Sequence, residues 1–489
     1  MQIEKLMYDY NILDSHNIDD IDLKGIQYDS RSIKEGDLFI AIKGFKVNGH
    51  HYINDALKNG ASIVLIEDKN YCSHDYPWIL VSDSRAALAD LSAKYFGYPS
   101  RNFTLIGITG TNGKTTTSNL IAKILEEQGE KVGLIGTIHN RIGSEILPVE
   151  RTTPESRDLQ ELFAQMVQKD VTYVIMEVSS HALDLMRVRG SEFDIAVFTN
   201  LTQDHLDYHE TMENYFNAKS KLFFELTNES SKKQKKYAII NKDDEWGKLL
   251  LQKYRGNKIS YSIEEDTDFK AEEIKISAKG VEYNVNKTKV NLKLTGKFNV
   301  YNSLAALAVA SSINIPLKKA IKTIEEINGV AGRFQVINNS CGFSVIIDYA
   351  HTADSLVNIL TTAKEFVQNK IITVFGCGGD RDKSKRPKMG EAAAKYSDYC
   401  IVTSDNPRTE NPEAIIKDIL PGIQKEISNE QYEIIINRKD AIKKAVEVAH
   451  EGDIIIIAGK GHETYQEING KKYPFDDKEI VEELLMLHK

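Results

Sequence analysis

The stretch GITGTNGKTTT, residues 107–117, follows the apolar run FTLI and precedes a helical pattern. A glycine-rich turn between a strand and a helix lets backbone N–H groups approach phosphate oxygens, and the dipole of the helix favours the negative charge. The common nucleotide loop has a glycine five positions before its Gly-Lys pair. That position is Ile108 in this chain. The stretch therefore predicts a shortened phosphate loop at the end of a buried strand.

Within this loop, Lys114 would neutralise charge on the phosphates, and the hydroxyl of Thr115 would hold Mg²⁺. An ordinary glycine-rich turn between strand and helix is the alternative. The remaining predicted ATP contacts of the loop are Gly110, Thr111, Asn112, Gly113 and Thr116.

The composition bounds the class of protein. The chain has 489 residues, enough for about three domains, and a formal net charge of −9. A net negative charge gives no indication of binding to nucleic acid or to a membrane surface, both of which attract positively charged proteins. No apolar run approaches the ~18 residues of a membrane span, and the four cysteines are scattered. We therefore expect a reduced, cytoplasmic protein with neither nucleic acid nor membrane as partner.

Apolar strands alternate with amphipathic helices along most of the sequence, which predicts an α/β protein with largely parallel sheets. We predict three domains: a small N-terminal α/β domain (1–99), a central P-loop-type ATPase domain with a mostly parallel sheet (100–329), and a Rossmann-like C-terminal domain (330–489). Shorter strands with polar alternation at 270–295 predict an antiparallel appendage. Because ligands bind at the carboxyl ends of such strands, the informative residues should follow them.

Titratable residues do follow two of the central strands. Glu177 comes after YVIM, where a carboxylate could reach a metal ion beside the phosphate loop, or could instead cap the next helix. The stretch LTQDHLDYHE follows FDIAVFTN and contains Asp204, His205 and His209. So many titratable side chains directly after an apolar strand indicate a functional loop.

The sequence Asn241-Lys242-Asp243-Asp244 fits the guanine-binding pattern of regulatory GTPases. A four-residue pattern with one free position is weak, and the phosphate loop is too short for that class. We therefore reject a GTPase-type switch as the first alternative.

A set of motifs, in order from about residue 25 to about residue 470, resembles the Mur ligases, the ATP-dependent amide-forming enzymes of peptidoglycan synthesis. These motifs are GTNGKTT, MEVSSHAL, FTNLTQDHLDYH, NAKSKLF, LTGKFNVYNSLAALA, GRFQV, DYAHTADSL and GKGHE. The resemblance implies addition of a third amino acid to UDP-N-acetylmuramoyl-L-alanyl-D-glutamate by a monomeric enzyme. ATP would phosphorylate a substrate carboxylate, and the incoming amine would attack the acyl phosphate. A small-molecule kinase, an L-lysine-adding ligase and a folate ligase remain alternatives.

The resemblance also implies roles for individual residues. Among the UDP-substrate contacts, the uridine part would be bound by Ser30 and the turn Phe45-Lys46-Val47, and the muramoyl-dipeptide part by Thr152, Thr153, Ser179 and Arg187. Further ATP contacts would be Asn299 and Asn302 at the adenine side, Arg333 at the γ-phosphate and Asp348 at the ribose.

Lys219, in FNAKSKLF, reads from the sequence alone as a solvated lysine on a helix. The resemblance implies instead that CO₂ carbamylates it to N6-carboxylysine, which with Glu177 and His205 would bind a second Mg²⁺. The predicted catalytic residues are Lys114, Glu177, His205 and Lys219, and the predicted metal ligands are Thr115, Glu177, His205 and Lys219.

The stretch VTSDNPRTENP contains Arg408 in a strand-to-helix turn. In the Mur ligases, DNPR resembles the signature of enzymes that add meso-diaminopimelate, which differs from lysine by a distal carboxylate. An arginine can pair that carboxylate through two parallel hydrogen bonds. The predicted amino-acid contacts are Arg381, Asp405, Asn406, Pro407, Arg408, Gly459 and Glu463.

Overall fold

The computed structural model describes residues 1–44, 47–149, 151–224, 235–277, 279–337 and 339–487. The chain forms two compact units. The first comprises Met1–Gly107, Gly129–Ala196 and Ala218–Tyr237, and the second comprises Ile108–Gln128, Val197–Asn217 and Ala238–Lys489. The domain boundaries expected at 99/100 and 329/330 remain predictions.

The strands are β1 (Asp14–His16), β2 (Gly25–Gln27), β3 (Asp37–Ile40), β4 (Ala61–Ile66), β5 (Trp78–Leu80), β6 (Thr104–Thr109), β7 (Val132–Ile135), β8 (Asn140–Ile142), β9 (Glu145–Leu147), β10 (Tyr173–Glu177), β11 (Ile195–Phe198), β12 (Tyr237–Asn241), β13 (Asn257–Ser262), β14 (Phe269–Ser277), β15 (Gly280–Val285), β16 (Thr288–Leu292), β17 (Gln335–Ile337), β18 (Ser344–Asp348), β19 (Ile371–Phe375), β20 (Tyr399–Val402), β21 (Tyr432–Ile434), β22 (Ile454–Ala458), β23 (Tyr465–Ile468) and β24 (Lys471–Pro474).

The helices are α1 (Ile3–Met7), α2 (Ile53–Lys58), α3 (Ser84–Tyr95), α4 (Lys114–Glu127), α5 (Ser156–Gln168), α6 (Ser180–Asp184), α7 (Leu206–His209), α8 (Met212–Phe224), α9 (Glu245–Lys253), α10 (Lys297–Ser312), α11 (Leu317–Glu325), α12 (Ala353–Lys364), α13 (Lys385–Tyr396), α14 (Pro412–Glu426), α15 (Arg438–Val448) and α16 (Asp477–Leu487). In the part of the chain that the structure describes, no helix combines the length and the apolar character needed to cross a bilayer.

The first unit contains a five-stranded sheet in the order β1-β5-β4-β3-β2, parallel except for β1. Helices α1 and α3 pack on one face and α2 packs on the other. In the same unit β10 runs parallel to β7, and the hairpin strands β8 and β9 continue from β7 antiparallel. Parallel strands covered on both faces explain why the sequence shows apolar runs here rather than alternation.

The second unit contains the predicted antiparallel appendage. Strand β14 pairs antiparallel with β15, and β15 pairs antiparallel with β16. The polar-alternating strands expected at 270–295 are therefore confirmed.

A six-stranded sheet in the order β17-β18-β22-β19-β20-β21 also belongs to the second unit. All of its strands are parallel except β17. Its central strand carries the run Ile454–Ile457, which is buried throughout. Ile454 and Ile456 pack with α12, α13 and α14, whereas Ile455 and Ile457 pack with α15 and α16. Helices on both faces of a mostly parallel sheet confirm the predicted Rossmann-like fold of this region.

A fully buried ion pair joins the first residues of α15 and α16. The Nε and Nη2 atoms of Arg438 each lie 2.8 Å from a carboxylate oxygen of Asp477, and Nη2 also donates to the carbonyl of Ala458 at 2.9 Å. Both side chains are 0% exposed. The two helices that cover one face of the sheet therefore begin at a common charged contact.

We expect Arg438→Met to lower the free energy of unfolding by about 3–5 kcal/mol, because the change leaves the Asp477 charge buried without a partner. Lys439→Met is the matched control: Lys439 pairs with Glu483 at 2.9 Å, but both side chains are exposed. That variant should lose less than about 1 kcal/mol. Urea-induced unfolding followed by circular dichroism measures both, and equal losses would contradict the expectation.

Candidate functional site

The phosphate loop lies between Thr109, the last residue of β6, and Lys114, the first residue of α4. Gly113 precedes the helix with φ +85°, and a Cβ atom there would lie 2.4 Å from Oδ1 of Asn302. Glycine is therefore required at this position by backbone conformation and by space. The ammonium of Lys114 donates to the carbonyls of Gly110 (2.8 Å) and Thr111 (2.7 Å), which holds its charge over the loop.

Asp354, on α12, contacts the same loop and was not foreseen. Its Oδ2 accepts hydrogen bonds from Nδ2 of Asn112 at 2.9 Å and from the hydroxyl of Thr202 at 3.2 Å. Burial raises the pKa of this carboxyl, and the hydrogen bonds from Thr202, Asn112 and Asn358 oppose that rise. The motif DYAHTADSL contains this residue, but no local pattern indicates a partner 242 positions away.

Arg333 and Thr115, both predicted ATP contacts, lie together. Nη2 of Arg333 donates to the Thr115 hydroxyl at 3.0 Å, and the guanidinium lies 4.6 Å from the centre of the Tyr349 ring. Asp348 is buried, and its two oxygens accept from the backbone N–H groups of Phe334 (2.6 Å) and Ala350 (2.7 Å). Burial raises the pKa of Asp348, against the effect of Arg333 and these N–H groups.

The loop after β11 carries a buried carboxylate near two histidines and a lysine. Asp204 lies 3.3 Å from Nε2 of His205, 3.7 Å from Nε2 of His351 and 3.8 Å from Nζ of Lys385. Burial alone would raise the pKa of Asp204, but the interactions with His351, His205 and Lys385 outweigh it and hold the pKa well below its usual range. His205 has φ +55°, a left-handed conformation uncommon for non-glycine residues.

The predicted adenine-side residues Asn299 and Asn302 lie one turn apart on α10. Nδ2 of Asn302 donates to Oδ1 of Asn299 at 3.0 Å, and Nδ2 of Asn299 donates to the Thr295 carbonyl at 2.8 Å. Both side chains are buried. The Oδ1 atom of Asn302 also accepts from the hydroxyl of Thr117 on α4 at 3.4 Å, so α10 contacts the helix that follows the phosphate loop.

Three residues of the GTPase-like pattern at 241–244 form hydrogen bonds with other parts of the protein. Nδ2 of Asn241 donates to the carbonyl of Thr199 at 2.8 Å, and Asp243 accepts from the Tyr301 hydroxyl at 2.8 Å. Asp244 caps α9 and accepts from the backbone N–H of Leu201 at 2.9 Å. Hydrogen bonds within the protein therefore account for the side chains of Asn241, Asp243 and Asp244.

The predicted amino-acid contacts gather at the carboxyl ends of β19, β20 and β22. Arg408 adopts φ +52°, and its Nη1 donates to the carbonyl of Gly379 at 2.8 Å. A Cβ atom on Gly459 would lie 2.5 Å from Oδ2 of Asp405, so this glycine allows the two loops to approach. Pro407 precedes Arg408 in the turn.

Two of the predicted amino-acid contacts, Asn406 and Glu463, are hydrogen-bonded to each other, and Arg381 lies near Arg408. Nδ2 of Asn406 donates to Oε2 of Glu463 at 2.8 Å. Arg381 is exposed and donates to the Asp380 carbonyl at 3.0 Å. A Cβ on Gly378 would lie 2.9 Å from Nη1 of Arg408 and 3.9 Å from Cγ of Arg381, so both arginines flank this glycine.

In the first unit, Glu177 has a buried position with defined partners. Its Oε1 accepts from the backbone N–H of Thr137 at 3.0 Å, and its Oε2 accepts from the Thr137 hydroxyl at 2.9 Å. A Cβ on Gly136 would lie 2.5 Å from Oε1, so a glycine makes room for the carboxylate. Ser179, not Glu177, caps α6, which excludes the simple capping interpretation.

The predicted dipeptide contacts surround this carboxylate. The hydroxyl of Thr153 donates to the Glu177 carbonyl at 2.9 Å and accepts from the Ser179 N–H at 3.1 Å. The Thr152 and Thr137 hydroxyls lie 3.2 Å apart, and Nη1 of Arg187 donates to the Thr153 carbonyl at 3.4 Å. The structure thus brings these predicted residues together.

Three arginines share one carboxylate beside these threonines. Oε2 of the buried Glu155 lies 3.3 Å from Arg187, 3.6 Å from Arg85 and 3.7 Å from Arg151. Burial lowers the pKa of Arg187, Glu155 raises it, and the charges of Arg151 and Arg85 lower it further. The cluster carries excess positive charge, which suits an anionic group of a substrate.

The predicted uridine region is partly described. Ser30 is buried and its carbonyl accepts from Asn59 at 2.8 Å, whereas Val47 is exposed. Phe45 and Lys46 lie outside the described residues. A pocket of about 330 Å³ in the first unit is lined by Lys43, Asn48, His50, Glu67, Asp68 and Lys69.

His50 in this pocket is neutral. Its Nε2 accepts from the backbone N–H of Glu67 at 3.1 Å, so the proton lies on Nδ1, which donates to Oδ1 of Asn48 at 2.8 Å. Burial lowers the pKa of His50, in agreement with this assignment.

Lys219 is 2% exposed on α8, so the interpretation as a solvated lysine is wrong. The predicted metal set divides between the units, with Glu177 and Lys219 in the first and Thr115 and His205 in the second. The oxygen donors of Thr115 and Glu177 suit a hard divalent cation, whereas the imidazole of His205 is a softer donor. Across the described ranges, no three His, Cys, Asp or Glu side chains converge as a metal site. The predicted set includes only two side chains of those types, so it stays a prediction.

A second charged contact holds the amino-acid loops. Glu410 accepts from Nη1 (3.0 Å) and Nη2 (2.8 Å) of the buried Arg386 and from the N–H of Asp380 (2.6 Å). The hydrogen bonds from Arg386 lower the pKa of Glu410 to about 2. The loop that contains Arg381 and the loop that contains Arg408 are therefore joined by one carboxylate.

We expect Glu410→Gln to lower the melting temperature most above about pH 5. Because the folded-state pKa of Glu410 is depressed from its usual 4.5 to about 2, its stabilisation is full above about pH 4.5 and disappears as the pH falls toward 2. Thermal unfolding of both proteins from pH 2 to pH 7 measures the difference. Glu391→Gln, which breaks an exposed pair with Lys425, is the control and should have little effect. A pH-independent difference for Glu410→Gln would refute this assignment.

The comparison with known proteins covers nearly the whole chain. Residues 22–96 match the catalytic domain of the Mur ligase family, residues 108–310 the Mur ligase middle domain, and residues 332–461 the Mur ligase glutamate ligase domain. A UDP-N-acetylmuramoyl-L-alanyl-D-glutamate--2,6-diaminopimelate ligase of Clostridium botulinum is 48% identical, with 95% of each chain covered.

Solved structures agree with this relationship. The structure of a ligase with the same name has a TM-score of 0.69 at 34% identity and covers 100% of this chain and 99% of its own. The MurF ligase of Thermotoga maritima, in complex with ADP, shares the fold at 19% identity, with a TM-score of 0.64 and coverage of 95% and 97%. Because the identity reaches 48% over 95% of its length and three Mur ligase domains follow one another along it, the chain belongs to the Mur ligase family.

Proposed function

We propose that this chain is the ATP-dependent ligase that adds meso-2,6-diaminopimelate to UDP-N-acetylmuramoyl-L-alanyl-D-glutamate in peptidoglycan synthesis. The observation that carries the proposal is Arg408, whose guanidinium is fixed beside Gly378 and Gly379 at the carboxyl ends of the Rossmann-like sheet. A fixed guanidinium suits a second carboxylate, which diaminopimelate has and lysine lacks. Relatives at 44–49% identity carry the name of this ligase.

The reaction joins two steps on one carboxylate. The γ-phosphoryl group of ATP passes to the substrate carboxylate, which forms an acyl phosphate and releases ADP. The amine of diaminopimelate then attacks the acyl carbon, the tetrahedral intermediate expels phosphate, and the amine proton is lost to give the amide. A carboxylate is a poor electrophile, and its phosphorylation supplies the leaving group. The protein therefore mainly positions the reactants and balances the charge of the phosphates.

Named residues of this chain would supply that positioning. Lys114 and Arg333 would face the phosphates, with the remaining phosphate-loop residues, Asn299, Asn302 and Asp348 as further ATP contacts. Thr115, Glu177, His205 and carbamylated Lys219 would hold Mg²⁺, which when bound neutralises phosphate charge. The arginine cluster at Glu155 supports the assignment of Thr152, Thr153, Ser179 and Arg187 to the dipeptide part of the substrate. The uridine part would lie at Ser30 and the turn at 45–47.

The remaining residues would bind the amino acid. Arg381 and Arg408 would bind its carboxylates, and Glu463 would bind its distal ammonium. Further contacts would come from Asp405, Asn406, Pro407 and Gly459. We propose a monomeric, cytoplasmic enzyme with domains at 1–99, 100–329 and 330–489.

We expect phosphate release from ATP, in the presence of the UDP-muramoyl-dipeptide, to depend on meso-diaminopimelate. The value of kcat/KM should exceed that for L-lysine by at least about a thousandfold, because lysine lacks the second carboxylate that the half-buried guanidinium of Arg408 would bind beside its ion pair with Glu467 at 3.3 Å. Arg408→Ala should lose most of this preference. A phosphate-release assay with a panel of amino acids, run on the unmodified protein and on Arg408→Ala, tests both expectations.

Each other outcome of that panel has a clear meaning. Comparable turnover of L-lysine by the unmodified protein would establish the lysine-adding ligase instead. Phosphate transfer without any amino-acid requirement would indicate a kinase.

We expect Lys219→Ala to lose most activity and short carboxylates to restore part of it, since the carbamate would act as a carboxylate-like metal ligand. The neighbouring Lys221→Ala is the control, because Lys221 pairs at the surface with Asp184 at 3.0 Å. Activity assays with and without added acetate measure the effect. Full turnover by Lys219→Ala would exclude the carbamate.

A further inference from the structure

Lys460 has a buried position for which the proposed reaction provides no explanation. It lies between Gly459 and Gly461 after β22, and its side chain is 0% exposed. An ammonium group is rarely buried unless it has charged or polar partners, because it loses its hydration. Its partners therefore indicate what the buried charge does.

Those partners are two predicted amino-acid contacts. The Nζ atom lies 2.9 Å from Oε2 of Glu463 and 3.1 Å from Oδ1 of Asn406. It also lies 5.7 Å from the centre of the Tyr465 ring, within the range of a cation–π contact. The ammonium thus contacts an anion, a carbonyl oxygen and an aromatic face.

These contacts determine the orientation of the Asn406 carboxamide. Its Oδ1 accepts from Lys460 and, at 2.9 Å, from the backbone N–H of Glu467, so Nδ2 must point the other way and donates to Glu463. A rotated amide would place NH₂ against the ammonium and against an N–H group. Lys460 therefore fixes the donor and acceptor ends of Asn406 and one oxygen of Glu463 together.

Arg438, a buried cation whose charge also acts on Glu463, has a different partner. Arg438 pairs through two hydrogen bonds with Asp477, whereas Lys460 contacts Glu463 directly. The Glu463 carboxylate is therefore held by Lys460 and by Nδ2 of Asn406, and Lys460 is the partner that carries the opposite charge.

We propose that Lys460 is a positioning residue for the diamino acid: its buried ammonium holds Glu463 and Asn406 in the arrangement that receives the substrate's distal amino-acid group. This inference rests on the proposed function and extends it, since it concerns a residue that acts through Glu463 rather than one that touches the substrate.

The test compares the KM values of all three substrates in the full-length protein. Lys460→Met should raise the KM for meso-diaminopimelate at least about tenfold, while the KM values for ATP and for the UDP-muramoyl-dipeptide stay within about twofold. A purely structural role would lower the melting temperature without this selective change. Lys472→Met is the matched control, because Lys472 is exposed and lies over the same Tyr465 ring at 4.3 Å. It should leave all three KM values unchanged.

A double-mutant cycle identifies the route of the effect. If Lys460 acts through Glu463, then Lys460→Met combined with Glu463→Gln should raise the KM for diaminopimelate about as much as Glu463→Gln alone. Multiplicative effects of the two changes would overturn the inference, as would an unchanged KM in Lys460→Met. If Lys460→Met does not fold, Lys460→Ala, which also removes the donor for Glu463, is measured in the same way and judged by the same outcomes.

The failure of the inference differs from the failure of the proposed function. An unmodified protein that shows no phosphate release with diaminopimelate would refute the function. An active unmodified protein, with an unchanged KM in the Lys460 variants, would refute only the positioning role.

Discussion

The hydrogen bonds between Asn200 and the predicted phosphate loop determine where this loop lies in the second unit. The Asn200 carbonyl accepts from the N–H of Thr111 at 2.9 Å, and its Oδ1 accepts from the N–H of Asn112 at 2.8 Å. The hydroxyl of Thr199 donates to the Asn112 carbonyl at 2.7 Å, and only glycine at position 110 leaves it room. Because helix α4 begins two residues after Asn112, these contacts also determine the direction of the helix that carries Thr115.

Many of the predicted site residues are held by partners inside the protein. Glu177 is fixed by Thr137, and the guanidinium of Arg333 is fixed between Thr115 and the Tyr349 ring. Side chains whose rotamers are set by such partners need not be ordered when a substrate binds. In each unit the orientation of these polar groups is therefore a property of the folded chain.

Periodic features of the fold could be predicted from the sequence, and long-range pairs could not. The run Ile454–Ile457 indicates a strand buried on both faces, because no position in it is polar. The burial of Lys219 contradicts the expectation for a lysine on a helix, since burial depends on neighbours that are distant in sequence. The same holds for Asp354, whose contact with Asn112 spans 242 positions. The sequence motifs were sufficient to locate the candidate site. The hydrogen bonds within the site could be identified only from the structure.

The left-handed backbone of Arg408 has a consequence for how this chain can vary. A side chain with a Cβ atom in that region costs about 1–2 kcal/mol relative to glycine. The turn is maintained by hydrogen bonds with β23 and the following hairpin, from the N–H of Arg408 to Glu467 at 3.0 Å and from the N–H of Asn469 to Arg408 at 2.7 Å. Selection for thermostability alone would replace this arginine with glycine or asparagine. The arginine of this chain therefore combines a less favourable backbone conformation with a guanidinium that contacts the carbonyl of Gly379 and the carboxylate of Glu467.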